Sequence, residues 1–393
     1  MDTVIIKIYG PRKFRFTKKS WFLPELKSRK YSELSETEKK SKRPYLQRFV
    51  FRPPTEHKVP VRVQVYEIVS IESKEVLYVL ELEFSVPKLL YGNSLQEVGE
   101  GHREVVFDRL KSCLVEVGIF IGETEIIAEA RVGAIHFCKN IPLPQEIQMQ
   151  DILAKLALTD ISKATDVTET EFKRGQVLHI YSGTVERVFY DKIADSMRPK
   201  VKRKDKGPIS SERIIVDRYN LDKREVFRYE YRLKKTQTVM RDVNKALERE
   251  PKTYVAFKDV FTPGLCRKMI LASWRVLLQK PGNQLALLGS APDSNLLAYI
   301  CSEAGKGKRN GHSLNTALIS YGIIRAIQDY GVKQLRKTIF STWSEDHSER
   351  VTKKIQAAAE LNTRLPYLDS ISFIDSHMEK SGLISLASLE NGI

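Results

Sequence analysis

Two stretches of this chain alternate apolar and polar residues so strictly that they leave little conformational choice. Val61-Arg62-Val63-Gln64-Val65 and Leu80-Glu81-Leu82-Glu83-Phe84 both repeat with period two. That is the spacing of a β-strand with one dry face and one wet face. The first strand is expected over 59–69 and the second over 76–86, paired as a hairpin through Glu72-Ser73-Lys74 and stopped by Pro87. A sheet with one wet face needs a layer on its other face only, which suits an antiparallel arrangement.

The neighbouring segments extend this pattern. Val4 to Ile8 reads as a strand, 126–141 as another, 177–190 as a pair turning at Ser182-Gly183, and 225–233 as a further one. Val106, Leu110, Cys113, Leu114 and Val117 share one face of a helix over 102–117 that Gly118 ends, and a short helix is expected over 148–158. The order of elements is that of an α+β fold, an antiparallel sheet backed by helices. Beyond about residue 240 helical periodicity takes over. Leu314, Ala317, Leu318, Tyr321 and Ile324 share a face behind a Ser313 cap, Gly331 ends that helix, and Val332, Leu335, Ile339 and Trp343 line the next. A bundle is favoured there over a helix-turn-helix. The expected division is a sheet-containing domain over 1–245 and a smaller, mainly helical domain over 246–393. Residues 11–48 are expected to be a basic insertion with little structure, and the residues from Gly382 a loosely held tail.

Charge narrows the partners. The 393 residues carry 65 Lys and Arg against 49 Asp and Glu, a formal +16. Such a chain attracts polyanions, nucleic acid before an anionic membrane surface. No apolar run approaches a membrane span and no secretory leader pattern is seen at the start. The four cysteines form no C-x-x-C pair, so a zinc ribbon is unsupported and reduced core cysteines in a cytoplasmic protein are expected. The basic, glycine-containing loop 305–311 lacks P-loop spacing, so ATP hydrolysis is not expected.

Several residues carry candidate chemistry. Glu81 and Glu83, two apart on a strand, share a face, where a divalent cation or a base would relieve their repulsion; taken alone, a solvated strand face is the favoured reading. His136, among apolar neighbours in Ala134-Ile135-His136-Phe137, is either a metal ligand or a half-buried hydrogen-bonded histidine. Glu230 alternates with Arg228 and Arg232, as an ion-pair ladder or as a ligand beside phosphate-binding arginines. Tyr190 ends an apolar strand, with Arg187 before it and Lys192 two residues on. A phenol with an ordinary pKa near 10 is a poor nucleophile, so it needs a cation to stabilise its oxygen. Arg198, Lys200, Lys202 and Arg203 belong to a basic loop suited to phosphate contacts without base reading.

Taken in order, four segments resemble the gene II replication proteins of filamentous phages and their plasmid and chromosomal relatives. The segments are 81–93, which includes Lys88-Leu89-Leu90-Tyr91-Gly92, then Ala134-Ile135-His136-Phe137, Val188-Phe189-Tyr190-Asp191-Lys192 and Arg228-Tyr229-Glu230-Tyr231-Arg232. His136 stands where the family has aspartate, and a paired histidine motif is absent.

The resemblance implies a rolling-circle DNA replication initiator with an HUH-like, Rep-type nicking domain. Tyr190 would cut one strand at an origin, form a 5′-phosphotyrosine and later rejoin the strand, assisted by Lys192. Glu81, His136 and Glu230, with Glu83 as alternate, would hold Mg²⁺ or Mn²⁺. Arg187, Arg198, Lys200, Lys202, Arg203, Arg228 and Arg232 would contact DNA, and a host helicase and polymerase would be partners. Tyr181 is a possible second acceptor. The rival from another class is a non-catalytic DNA-binding protein, a repressor or packaging factor.

Overall fold

The computed structural model describes residues 1–10, 13–24, 35, 45–51, 59–69, 76–160, 169–173, 176–198, 211–250, 252–288, 293–306, 314–342, 345–361, 369–380 and 382–391. It is a mixed α+β structure. Its strands are β1 (Thr3–Tyr9), β2 (Arg15–Phe16), β3 (Phe22–Pro24), β4 (Tyr45–Phe51), β5 (Val61–Val69), β6 (Val76–Ser85), β7 (Ile119–Phe120), β8 (Arg131–Pro142), β9 (Glu169–Lys173), β10 (Val177–Ser182), β11 (Val185–Asp191) and β12 (Val226–Leu233). Ten of them form one sheet in the order β3-β4-β5-β6-β1-β8-β12-β11-β10-β9. Every neighbouring pair runs antiparallel.

The alternation that announces the strands also sorts their faces. Val4, Ile6 and Ile8 of β1, Leu80, Leu82 and Phe84 of β6, Ile135 and Phe137 of β8, Phe189 of β11 and Phe227, Tyr229 and Leu233 of β12 are buried in one core. Helices cover this face, including Arg103–Glu116, Thr236–Ala246 and Leu265–Leu278. Phe189 stacks on Tyr229 with centroids 4.8 Å apart, Trp274 packs against both, and the Tyr229 hydroxyl donates to Ser273 Oγ at 2.7 Å. Each such ring contributes about 1.5–3 kcal/mol of hydrophobic stabilisation.

The helices beyond residue 246 divide between two cores. Leu265–Leu278 and Asp369–Glu379 pack on the sheet, with Trp274 Nε1 donating to Asp375 Oδ1 at 2.8 Å. Pro281–Ala286, Asp293–Lys306, Leu314–Tyr330, Val332–Thr342 and Glu345–Leu361 surround a second core of Leu285, Ile300, Ile324, Ile327 and Ala358. Leu318 is 48 % exposed rather than inward. The buried stripe is Ala317, Ser320, Ile324 and Ile327, and one residue of offset rotates a side chain about 100° away from it.

Gly331 does end a helix, at φ 82°. A Cβ there would come within 3.2 Å of the Leu158 backbone, whose carbonyl accepts from Val332 N at 2.9 Å. Gly331→Ala is expected to cost about 1–2 kcal/mol from the left-handed conformation alone, with more from that contact, read as a lowered denaturation midpoint.

Four expectations need correction. The stretch over 126–141 is not all strand: Thr124–Ala128 is a short helix, and the strand starts at Arg131. Within 11–48, residues 13–24 are structured, because Phe14, Phe16, Trp21 and Phe22 pack against the core and each other. β4 also begins at Tyr45. The final segment is held: Glu97 N donates to Ile384 O at 2.9 Å, and Leu389 is buried with Leu95, Ile193 and Val216. Finally, the helices Lys192–Met197 and Ser211–Arg218 had no expected counterpart. The turn Glu72-Ser73-Lys74 and Trp343 lie outside the described residues.

Candidate functional site

The face of the sheet away from this core is polar, and its centre carries the site. On β12, Phe227, Tyr229 and Tyr231 point into the core, so Arg228, Glu230 and Arg232 point the other way. Antiparallel register sets Tyr190 opposite Arg228 and Val188 opposite Glu230 on one side, and Arg232 opposite His136 on the other. The Tyr190 hydroxyl donates to Glu230 Oε1 at 2.6 Å. Its ring rests against Val177 and Val188 and is only 7 % exposed.

Asp2 completes the group. Its backbone N–H donates to His136 O at 2.9 Å and its carbonyl accepts from Val86 N at 2.7 Å, so it is pinned beside β8. Its carboxylate accepts from Ser85 Oγ at 2.9 Å and pairs with Arg228 Nη2 at 3.0 Å. One ligand atom each from Asp2, His136 and Glu230 lie within 4.8 Å of one another.

The charges are tightly balanced. Arg228, 1 % exposed, bonds Glu230 Oε1 through Nε at 2.7 Å, and Nη1 donates to Ser94 O and Asn140 Oδ1. Arg232 grips Glu230 Oε2 at 2.7 Å through Nε and pairs with Glu186 at 3.3 Å. Glu186 also meets Lys234 at 2.8 Å and His179 at 2.8 Å. Burial by itself pushes the Glu230 carboxyl up, but the Arg232 and Arg228 guanidiniums outweigh it and hold the group well below its ordinary pKa. Arg228 does the same for Asp2. Burial, reinforced by the Glu230 carboxylate, pushes the Tyr190 phenol well above its ordinary range. Burial and the neighbouring Arg232 charge lower His136 to about 4. The imidazole is therefore neutral near pH 7, and it has no hydrogen-bond partner among the described residues.

These shifts set the acid limit. Asp2, Glu186 and Glu230 have depressed folded-state values, so their contribution is complete above the unfolded carboxylate range near pH 4 and is lost as pH falls through the folded values. His136 is a base with a depressed value: the unfolded chain takes up its proton first, so stability drops as pH falls from about 6.5 to about 4. That share amounts to about 3 kcal/mol. Denaturation midpoints across this window should show the fall, and His136→Gln should flatten it; equal slopes for the two proteins would contradict the assignment.

The other expected site residues are dispersed. Glu81 is not in the group. It lies on β6, one strand beyond β1, paired with Lys7 at 2.9 Å and accepting from Tyr66 OH at 3.0 Å. Glu83 pairs with exposed Arg62 at 3.0 Å. Lys192 does not continue the strand. Asp191 caps a helix there by accepting from Ile193 N at 2.9 Å, which turns the lysine inward to donate to Ser94 Oγ at 2.8 Å. Ser94 in turn donates to Glu212, and burial lowers the Lys192 pKa against the pull of that carboxylate.

Arg187 sits on the opposite face from Tyr190, an odd position among evens, buried at 7 % exposure over the Tyr231 ring at 5.3 Å. Arg228 is likewise enclosed, as an internal counter-ion and not as a surface phosphate contact. Arg232 retains a partly open side chain, and half-buried Arg198 donates to Gln176 at 2.6 Å. Lys200, Lys202 and Arg203 lie outside the described residues. Tyr181 is four positions along β10 from Val177, the residue opposite Tyr190, or roughly 13 Å along the strand.

Asp2 was missed because no periodicity marks it. It adjoins His136 and Glu230 only through strand pairing. As a cation site the group has a fitting donor set: two carboxylates and a neutral, unpartnered imidazole. Mixed oxygen and nitrogen donors suit Mn²⁺ better than Mg²⁺. Arg228, Arg232 and Tyr190 already bond both Glu230 oxygens, so cation binding there would displace a donor. No helix among the described residues is long and apolar enough to cross a membrane. Comparison of the chain with protein-family models, with curated proteins and with solved structures returns no match.

Proposed function

We propose that the chain is a tyrosine-dependent DNA-nicking and strand-transfer enzyme that initiates rolling-circle replication. The observation that carries this reading is a buried phenol 2.6 Å from Glu230, beside Asp2 and His136, on the polar face of an antiparallel sheet. A chain with +16 formal charge attracts polyanions.

In the reaction the Tyr190 oxygen bonds to a backbone phosphorus and the bond from phosphorus to the 3′-oxygen breaks. The phenolic proton ends on that 3′-oxygen, leaving a 5′-phosphotyrosine and a free 3′-OH. Glu230 orients the hydroxyl, and Arg232 offers positive charge to the phosphate oxygens. Asp2, His136 and Glu230 would hold a divalent cation, which supplies Lewis-acid polarisation of the phosphate. The bond energy is retained in the protein linkage, so the reverse transfer needs no nucleotide.

The test is a supercoiled plasmid carrying the DNA that flanks the protein's own gene, incubated with Mn²⁺ or Mg²⁺. Open circles with protein on the 5′ end are expected, and chelation should remove them. Binding without either product would favour a second reading, a non-catalytic DNA-binding protein. That reading draws on the enclosure of Tyr190 and on the guanidiniums that occupy Glu230.

A further inference from the structure

β12 stops at Leu233, whereas β8 runs on past its partner Ile135 to Arg131. The gap is occupied by the start of the helix Thr236–Ala246, whose Thr236 hydroxyl reaches Gly133 O at 3.4 Å. At the same point the register between β1 and β8 shifts, with Ile5 opposite Ala134 and Ile6 opposite Val132, so that Gly133 bulges. The result is a cavity of about 400 Å³ floored by Ile5 and Ala134 and rimmed by Lys7, Lys234, Lys235 and Gln237. This volume suits a nucleotide-sized group.

Its charge is one-sided. Three ammonium groups line it: Lys7 pairs with Glu81 at 2.9 Å and Lys234 with Glu186 at 2.8 Å, so Lys235 is the one with no ion pair among the described residues. The helix that opens into it has no side-chain cap and no acidic residue in its first turn. Its free amides therefore add positive potential to that of the lysines. The cavity also continues a charged row: on β12 Arg232 flanks Glu230, and Lys234 follows two residues on, bound to the same Glu186 as Arg232.

We propose that this cavity binds a backbone phosphate of a nucleic-acid strand lying across the polar face, six residues, or roughly 20 Å, along β12 from Arg228, the residue opposite Tyr190. The claim rests on the nucleic-acid part of the reading above, though not on its chemistry. The cavity would fix the register of the strand relative to the tyrosine without reading its sequence.

Two exposed positions test it without touching the ion-pair network. Lys235→Gln removes one charge. Gln237→Glu places a carboxylate in the first turn, which favours the helix itself but repels a phosphate. Affinity for a fluorescent twelve-nucleotide oligothymidylate is measured at several salt concentrations, with Lys353→Gln on a distant helix as control, and inorganic phosphate is titrated separately. Both variants should keep the wild-type melting temperature, weaken oligonucleotide binding several-fold and reduce the log–log salt slope by about 0.7–1. Unchanged affinity and slope in both would overturn the proposal, even for a protein that nicks DNA. Inorganic phosphate binding that the variants weaken while oligonucleotide binding stays unchanged would also overturn it, marking a site for the free anion. Reduced slopes with no nicked product would leave the cavity assignment standing and remove the nickase.

Discussion

Tyr190→Phe is expected to abolish strand cleavage and the covalent adduct, a loss of about three orders of magnitude or more, with DNA binding kept within a few-fold. Phenylalanine fills the same contacts with Val177 and Val188 and lacks only the oxygen. Glu230 keeps Arg228 and Arg232 as partners, so the stability loss should be about 1 kcal/mol, that of one hydrogen bond. The measurement pairs gel detection of nicked plasmid with a denaturation curve. Persistent cleavage at the wild-type rate would show that another nucleophile, or none in this protein, does the work. Tyr181→Phe serves as the comparison, since its ring lies on β10 and away from the Asp2–His136–Glu230 group.

Arg228→Ala is expected to be the most damaging change to stability. The guanidinium is 1 % exposed, pairs with both Asp2 and Glu230, and donates to Ser94 O and Asn140 Oδ1. Its removal leaves two enclosed carboxylates with reduced compensation and several acceptors unmatched. Breaking a buried pair in this way costs about 3–5 kcal/mol. Arg62→Ala provides the contrast. Its pair with Glu83 is equally short at 3.0 Å but solvent-exposed, and it should cost under about 1 kcal/mol. Equal losses in urea midpoints for the two variants would refute the view that Arg228 organises the site. Because Arg228 holds Asp2 and Glu230 together, a folded Arg228→Lys protein should also show weaker cation binding. Lysine keeps the charge but not the fork.

The two outcomes bear on different questions. The tyrosine variant asks whether the site has chemistry, and the arginine variant asks what holds its parts in register. The Asp2–His136–Glu230 group is held in place by guanidinium contacts spanning β12, the chain before β1, and the loop bearing Ser94.

Much of this was visible in the linear chain. The period-two runs at Val61–Val65 and Leu80–Phe84 identify β5 and β6, and they assign a wet face to Glu81 and Glu83 and a dry one to Leu80 and Leu82. The alternation in Phe227–Arg232 likewise predicts that Arg228, Glu230 and Arg232 share a side. The same rule, applied to Arg187 and Tyr190, separates them, since an odd offset means opposite faces. Gly331 as a helix end was equally legible. These are local properties, decided by backbone geometry within a few residues.

Which of these residues meet was settled by pairing across strands. Glu81 and Glu230 both lie on the wet face, yet β1 and β8 stand between their strands, so no spacing in sequence could rank one above the other as a neighbour of His136. Asp2 enters because two backbone hydrogen bonds tie it to β8 and to the end of β6. Lys192 leaves because Asp191 starts a helix where strand periodicity would continue. Sequence governs each segment's faces because side-chain direction repeats along the backbone. Tertiary structure governs the site because register and strand endings depend on hydrogen bonds between segments that are remote in the chain.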